Sequence, residues 1–188
     1  MAAEAAGAFR RTPIERSDQR VAWERTDQAF FAAGACHILA WVCRGSYPDR
    51  PIEIAGVRPA GEWQVFHVYA TWNGWAFDHS GWNPEPQLLA VNTEFEGRPL
   101  EAVTITDDLA GFCATHHSRM PGDYWRDPLP RAHDYVNRHR PPWAVHPPSA
   151  PGQPAHLPLE LREGEGAALG RRQPQGVGHL PDLPPQGP

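Results

Sequence analysis

The chain contains no lysine, and all 17 of its Lys+Arg residues are therefore arginine, against 22 acidic residues. Its formal net charge of −5 argues against a dedicated nucleic-acid-binding protein, which would carry clustered basic residues. It has no apolar run near the ~18 residues that a membrane span requires, and its N-terminus lacks the apolar stretch of a signal peptide. We therefore expect a cytoplasmic protein with neither a membrane nor a nucleic acid as its partner.

Cysteine is also scarce. The three cysteines, Cys36, Cys43 and Cys113, do not form an even set, so a disulfide framework is not expected. The thiols are then either buried side chains or reactive groups, and their sequence surroundings distinguish these two roles.

Proline is unevenly distributed. Residues 141–188 hold more than half of the 22 prolines and a single aromatic residue, Trp143. Such a segment buries too little apolar surface to offset the entropy cost of ordering. We predict one domain over residues 13–140 and a Pro/Gly-rich disordered tail over residues 141–188. The first dozen residues are expected to be frayed.

The order of the predicted elements indicates the fold class. Helices are predicted first, and the last of them is the strongly apolar segment Cys36–Cys43, which ends at Arg44-Gly45. Strands follow, including Trp63–Trp72, Trp75–His79 and Leu100–Thr106. A helix beginning at Asn83-Pro84-Glu85 lies between them. We predict an α+β fold in which the cysteine helix packs on an antiparallel sheet.

A hairpin carries the clearest geometric signal. Asn73-Gly74 is typical of a two-residue type I′ turn, which would place Trp72 opposite Trp75. Phe66, Val68, Ala70 and Phe77 would then belong to the core face. On the other face Asp78 would lie diagonal to His67, within reach of an imidazole–carboxylate hydrogen bond.

The segment before the apolar helix makes Cys36 the candidate nucleophile. Small residues, Gly34 and Ala35, precede a cysteine at the predicted start of a helix. A helix N-terminus lowers the pKa of a thiol and offers free N–H groups for an oxyanion. A nucleophilic cysteine also needs a base held by a third group, and the hairpin offers His67 and Asp78.

Two motifs resemble the papain-like cysteine superfamily, especially its transglutaminase-like branch. They are GACHILA around Cys36 and HVYATWNGWAFDHSG, which begins at His67, and together they cover about residues 32–81. The resemblance implies a cysteine at the start of a central helix, facing a histidine and an aspartate on adjacent strands. It implies Cys36 as nucleophile, His67 as general base and acid, and Asp78 as the group that orients His67.

The resemblance predicts a cysteine-dependent acyl-transfer enzyme, acting without a cofactor or metal on a peptide or small amide substrate. Papain-like enzymes have an oxyanion-hole glutamine six residues before the cysteine, where this chain has Phe30, and Gln28 has the wrong spacing. The short linker from Cys36 to His67 favours a compact amidase, peptidase or transglutaminase-like enzyme over a broad endopeptidase.

Other residues compete for the same roles. Cys113, which precedes His116-His117, is a rival nucleophile without a recognisable hairpin partner, and Cys43 is expected in the core. His37 lies about 100° around the helix from Cys36, so we do not expect it to be the base.

Two further classes of function stay open. The first is a metal-binding protein, for which the candidate ligands are Cys36, His37, His67, Asp78, His79, His116 and His117. The second is a non-catalytic binding module on the same fold.

Overall fold

The computed structural model describes residues 2–145 and confirms the predicted α+β class with an antiparallel sheet. Residues 146–188, most of the predicted tail, lie outside the described residues. The helices are α1 Pro13–Ser17, α2 Gln19–Trp23, α3 Asp27–Ala32, α4 Cys36–Ser46, α5 Glu85–Glu96, α6 Leu109–His116, α7 Leu129–Asn137 and α8 Pro142–Val145. The strands are β1 Glu53–Pro59, β2 His67–Trp72, β3 Trp75–Asp78, β4 Gly81–Pro84 and β5 Leu100–Ile105.

The five strands form one sheet in the order β4-β3-β2-β1-β5, and every neighbouring pair is antiparallel. The β2–β3 hairpin has the predicted register, with Trp72 opposite Trp75 and Ala70 opposite Phe77. Its turn also matches, since Asn73 and Gly74 have φ angles of 46° and 78°. These positive values are the ones that a type I′ turn requires.

Strand β4 replaces the predicted start of a helix. Asn83 pairs with Ala76 across the sheet, and its buried side-chain amide donates to Ser80 Oγ at 3.0 Å. The helix begins two residues later, at Glu85, with Pro84 before it. Asn83 and Pro84, which the sequence predicts at the start of a helix, therefore belong to β4, and the Asn83 side chain closes the turn between β3 and β4.

Helices cover both faces of the sheet. Val68, Ala70 and Phe77 join the core cluster that contains α4, whereas the alternate residues Tyr69 and Ala76 cluster with Leu88 of α5. Side chains alternate between the faces of a strand, so α4 and α5 lie on opposite sides. His67, the first residue of β2, and Asp78, the last residue of β3, are both fully buried.

The residues before Pro13 are packed against the domain, which differs from the frayed N-terminus that the sequence predicts. Ala6 is buried, and its N–H donates to the side chain of Asn92 in α5 at 3.1 Å. Arg10 forms an ion pair with Glu96 at the end of the same helix. The backbone polar groups of this segment thus find partners that its composition does not reveal.

Packing also continues beyond Arg140. Trp143 of α8 makes edge-on aromatic contacts with Tyr47, Trp72 and Trp82, with ring centroids 4.8–5.3 Å apart. This aromatic cluster covers one end of α4 and the β2–β3 hairpin. Within residues 2–145, none of the helices combines the length and apolar character needed to cross a bilayer.

Candidate functional site

The start of α4 presents the Cys36 thiol beside free backbone donors. Gly34, with φ of 137°, turns the chain into the helix, and Ala35 at the N-cap offers no side chain to bond the first N–H groups. By contrast Thr12, Thr26 and Asp108 cap their own helices. Because an uncapped N-terminus carries partial positive charge, it favours a thiolate and can hold an oxyanion. Cys36 itself is half-buried.

The hairpin brings His67 and Asp78 into direct contact, as its register predicts. Nε2–H of His67 donates to Oδ2 of Asp78 at 2.9 Å, and both side chains are fully buried. His67 Nδ1 has no hydrogen-bond partner among the described residues. Asp78 therefore fixes the orientation of the imidazole through Nε2 and leaves Nδ1 free to interact with the Cys36 thiol.

Asp78 is held by more groups than the sequence indicates. Its Oδ1 accepts hydrogen bonds from the backbone N–H and the hydroxyl of Ser80, at 2.8 and 2.7 Å. Its Oδ2, which binds His67, also lies 3.0 Å from Nδ1 of His79. Although burial opposes ionisation, the contacts with His79 and His67 hold the pKa of Asp78 well below its usual range.

Helix α7 fixes the turn after Asp78. The Tyr135 hydroxyl donates a hydrogen bond to the backbone carbonyl of His79. The His79 ring packs edge-on against Phe9 and against His67. Ligand atoms of His67, Asp78 and His79 all lie within 4.8 Å of one another, so within residues 2–145 these three residues form the group that could hold a metal. The other predicted ligands are not part of this cluster.

Cys36 and His67 affect each other's protonation. Burial opposes ionisation of the thiol, but the neighbouring imidazoles of His37 and His67 lower the pKa of Cys36 to about 5. Burial likewise opposes the charge on His67, yet Asp78 and Cys36 raise the pKa of His67 to about 10. Both shifts favour the charged forms, a thiolate beside an imidazolium. The structure thus brings Cys36, His67 and Asp78 together.

His37 is a site residue that the sequence argument set aside. It is buried, and its Nε2–H donates to the backbone carbonyl of Arg119 at 2.8 Å. Burial disfavours its charge, but Cys113 and Cys36 raise the pKa of His37 to about 10. An angle of about 100° around the helix predicts that His37 points away from Cys36. The loop after α6 instead holds the imidazole near the thiol, because the Arg119 carbonyl accepts its hydrogen bond.

The other two thiols differ from Cys36 in their exposure. Cys43 lies fully in the core, and burial raises the pKa of its thiol. Cys113 is buried in α6, where its thiol donates to the carbonyl of Arg119 at 3.5 Å. His116 stacks on Trp63 and Phe112. Of the three free thiols, Cys36 is the most accessible.

An open cleft of about 570 Å³ leads to Cys36. Phe66, expected in the core, is instead 36% exposed and lines this cleft, because β2 begins only at His67. Phe30 is buried in the core, and the Gln28 amide donates to Glu4 at 2.9 Å. Neither of these two residues lines the cleft, so the backbone N–H groups at the start of α4 are the oxyanion donors that this geometry offers.

Comparison with known proteins gives no relative for this chain: no family model matches it, and neither the curated proteins nor the solved structures contain a similar one. The resemblance to the papain-like superfamily therefore stays a prediction from the two motifs. The site must be interpreted from its own chemistry.

Proposed function

We propose that the protein is a cysteine-dependent acyl-transfer enzyme, an amide hydrolase, peptidase or transglutaminase-like enzyme, with Cys36 as its nucleophile. The observation that carries the proposal is a half-buried thiol at an uncapped helix N-terminus, beside an imidazole hydrogen-bonded to a buried carboxylate. A lowered thiol pKa and a raised imidazole pKa support it, since this combination is what nucleophilic catalysis by cysteine requires.

In the first step the Cys36 thiolate attacks the carbonyl carbon of an amide or ester, and a C–S bond forms. The carbonyl electrons move to oxygen, which accepts hydrogen bonds from the N–H groups at the start of α4. When the tetrahedral intermediate collapses, the C–N or C–O bond breaks. Protonated His67 gives its proton to the departing amine or alcohol, which leaves a thioester on Cys36.

In the second step a water molecule or a second amine attacks the thioester. His67 takes the proton of the incoming group, and the C–S bond breaks to return the Cys36 thiolate. Asp78 keeps Nε2 of His67 protonated by accepting its hydrogen bond, so that Nδ1 is the nitrogen that exchanges protons. The half-exposed thiol and the open cleft suit a peptide or small amide substrate.

The proposal includes membership of the papain-like superfamily, on the strength of the two motifs quoted above. It also includes a location in the cytoplasm, where reducing conditions keep cysteines out of disulfide bonds. All three cysteines of this chain are free thiols.

The experiment that tests this function uses p-nitrophenyl acetate as the acyl donor and follows the protein by intact-mass spectrometry. We expect an acetyl adduct on Cys36 that hydrolyses during the assay. Cys36→Ala should form no adduct, whereas Cys113→Ala should still form one. An adduct that persists in Cys36→Ala, or one lost only in Cys113→Ala, would contradict the assignment.

The role of His67 has its own readout in the same assay. General-base catalysis accelerates a reaction by about 10²–10⁴-fold, so the acetyl adduct of His67→Ala should hydrolyse more slowly by about this factor. His133→Ala, at an exposed position of α7, is the matched control and should hydrolyse the adduct at the rate of the unaltered protein. Equal lifetimes in the two variants would exclude His67 as the base.

A metal-binding function is the second candidate, because donor atoms of His67, Asp78 and His79 lie within 4.8 Å of one another. This function predicts stoichiometric zinc in the purified protein and a fall in melting temperature on chelation. The acyl-transfer function predicts an unchanged melting temperature and full adduct formation after chelation. His79→Gln separates the two, since it removes a metal ligand without removing the thiol, its base or the carboxylate.

A further inference from the structure

The cleft in front of Cys36 is lined by basic side chains. Four of its lining residues are arginines, Arg10, Arg11, Arg16 and Arg119, and two are histidines, His37 and His117. None of the residues from 2 to 145 that line it is acidic. The protein as a whole carries a net charge of −5, so the positive charge in this cleft is local.

Among the described residues, two of these arginines form no ion pair. Arg10 is paired with Glu96, and Arg16 donates to the backbone carbonyl of Arg11. Within the described part of the chain, neither Arg11 nor Arg119 forms an ion pair or donates a side-chain hydrogen bond. Arginine fits carboxylate and phosphate groups because its planar guanidinium can donate two parallel hydrogen bonds.

Arg11 and Arg119 both border the backbone that leads into α4. A Cβ added to Gly34, two residues before Cys36, would lie 3.6 Å from Cζ of Arg11. The Arg119 guanidinium lies over the ring of Tyr124, whose hydroxyl donates to the Gly34 carbonyl at 2.6 Å. The Arg119 carbonyl also accepts the hydrogen bond from His37. Both guanidinium groups therefore sit beside the approach to the thiol.

Arg11 lies among other positive charges. Burial and the neighbouring charges of Arg119, Arg25 and Arg16 lower the pKa of Arg11. The nearby acid, Glu15, is already held by Arg25 at 3.2 Å and by Thr12. A ligand with negative charge would relieve the repulsion between Arg11 and Arg119.

We propose that the substrate is an amide or ester with an anionic group, a carboxylate or a phosphate, held by Arg11 and Arg119 while Cys36 attacks its carbonyl. The inference rests on the proposed acyl-transfer function and adds the class of its substrate. In the adjoining cavity of about 260 Å³, which shares Arg10 and Phe66 with the cleft, both arginines are already paired with acids, Arg10 with Glu96 and Arg98 with Glu62. The anionic group is therefore expected at the Cys36 end of the combined groove.

The test compares two alkylating reagents of nearly equal size, neutral iodoacetamide and anionic iodoacetate. In both reactions the Cys36 thiolate forms a C–S bond and iodide leaves. The quantity measured is the ratio of the iodoacetate rate to the iodoacetamide rate, which cancels any change in thiolate fraction. We expect this ratio to exceed that of mercaptoethanol by about tenfold or more, as a charged cleft concentrates an anion.

The variants then assign the effect to the two arginines. Arg11→Gln and Arg119→Gln should each lower the ratio by about threefold or more, the effect of one nearby charge. Arg44→Gln is the matched control, because it removes the same charge at the far end of α4, about 12 Å along the helix from Cys36. A ratio equal to that of mercaptoethanol, or equal losses in all three variants, would overturn the proposal.

The anion is identified by protection at constant ionic strength. Succinate or inorganic phosphate should slow iodoacetamide labelling of Cys36, and the stronger protector indicates whether carboxylate or phosphate is recognised. Protection by neither would contradict the inference even if Cys36 is labelled. Failure of the acyl-transfer function gives a different result, namely that p-nitrophenyl acetate forms no acetyl adduct on Cys36.

Discussion

At the scale of single residues, the site depends on where charge is stabilised. Cys36 has two imidazole neighbours, His37 and His67, and both raise the stability of its thiolate. Asp78 stabilises the positive charge on His67. The charges therefore alternate from the helix start to the carboxylate, and removal of any one of them shifts the pKa of its neighbour.

The first prediction concerns the pH dependence of alkylation. With the Cys36 pKa lowered to about 5, its reaction with iodoacetamide should rise with a midpoint near pH 5 and level off well below pH 7. In His67→Ala the thiolate loses a positive neighbour, so its pKa must rise, and the midpoint should move toward the ordinary value of about 8.5. Stopped-flow or quenched alkylation over pH 4–10 measures both profiles.

His37→Ala should also raise this midpoint, because it removes the other imidazole that stabilises the thiolate. The exposed His133 of α7 again supplies the control, and His133→Ala should leave the profile unchanged. A midpoint near pH 8.5 in the unaltered protein would show that the histidines do not activate Cys36.

At the scale of elements, two short turns bring the site together. The Asn73-Gly74 turn sets the register of β2 and β3, and that register places Asp78 against His67. Gly34, with φ of 137°, orients the start of α4 toward the same place. A slip of one residue in the hairpin would send His67 and Asp78 to the other face.

The second prediction tests the hairpin turn. Gly74 has φ of 78°, and a Cβ there would meet no neighbour, so any loss in Gly74→Ala comes from backbone strain. We expect the free energy of unfolding to fall by about 1–2 kcal/mol. Urea denaturation followed by circular dichroism provides the measurement.

Gly45 of α4 provides the contrasting substitution. A Cβ at Gly45 also meets open space, but the residue is helical, so Gly45→Ala should stabilise the protein by about 0.5–1 kcal/mol. Destabilisation by both alanines to the same extent would mean that backbone conformation is not the cause.

At the scale of the whole described molecule, distant segments close the site. The N-terminal segment supplies Arg11, β2 and β3 supply His67 and Asp78, and the loop after α6 supplies Arg119. Asn92 of α5 links the N-terminal segment to the domain. Its side-chain oxygen accepts a hydrogen bond from the Ala6 N–H, and its amide donates one to the Leu88 carbonyl. This buried amide lies outside the cleft but helps to position one of its walls.

The third prediction follows from that link. Asn92→Ala leaves the buried Ala6 N–H without its acceptor, which should lower the free energy of unfolding by about 1–3 kcal/mol. It should also release the N-terminal segment, so that trypsin cuts at Arg10 or Arg11 faster than in the unaltered protein. Asn137→Ala, at an exposed position of α7, should change neither property. Unchanged trypsin cleavage in Asn92→Ala would show that other contacts hold the segment.

Much of the fold and part of the site could be predicted from local sequence. Asn73-Gly74 predicts its turn because the φ angles it accepts are a local property, and the alternation of side chains then places His67 near Asp78. The extra strand β4 could not be predicted this way, since Asn83-Pro84-Glu85 is equally typical of a helix start. In the folded protein the Asn83 side chain is buried and donates a hydrogen bond to Ser80 Oγ, and this contact favours the strand over the helix start.

The sequence by itself determined the α+β class, the hairpin register and the candidates Cys36, His67 and Asp78, because these depend on periodicity and turn chemistry within short segments. The tertiary structure alone decided that His37 lies near the thiol and that His79 and Ser80 hold Asp78. It also decided that Arg11 and Arg119, which form no ion pair among residues 2–145, line the cleft. Those contacts join residues far apart in the chain, and their positions follow from packing of whole elements, which local patterns do not specify.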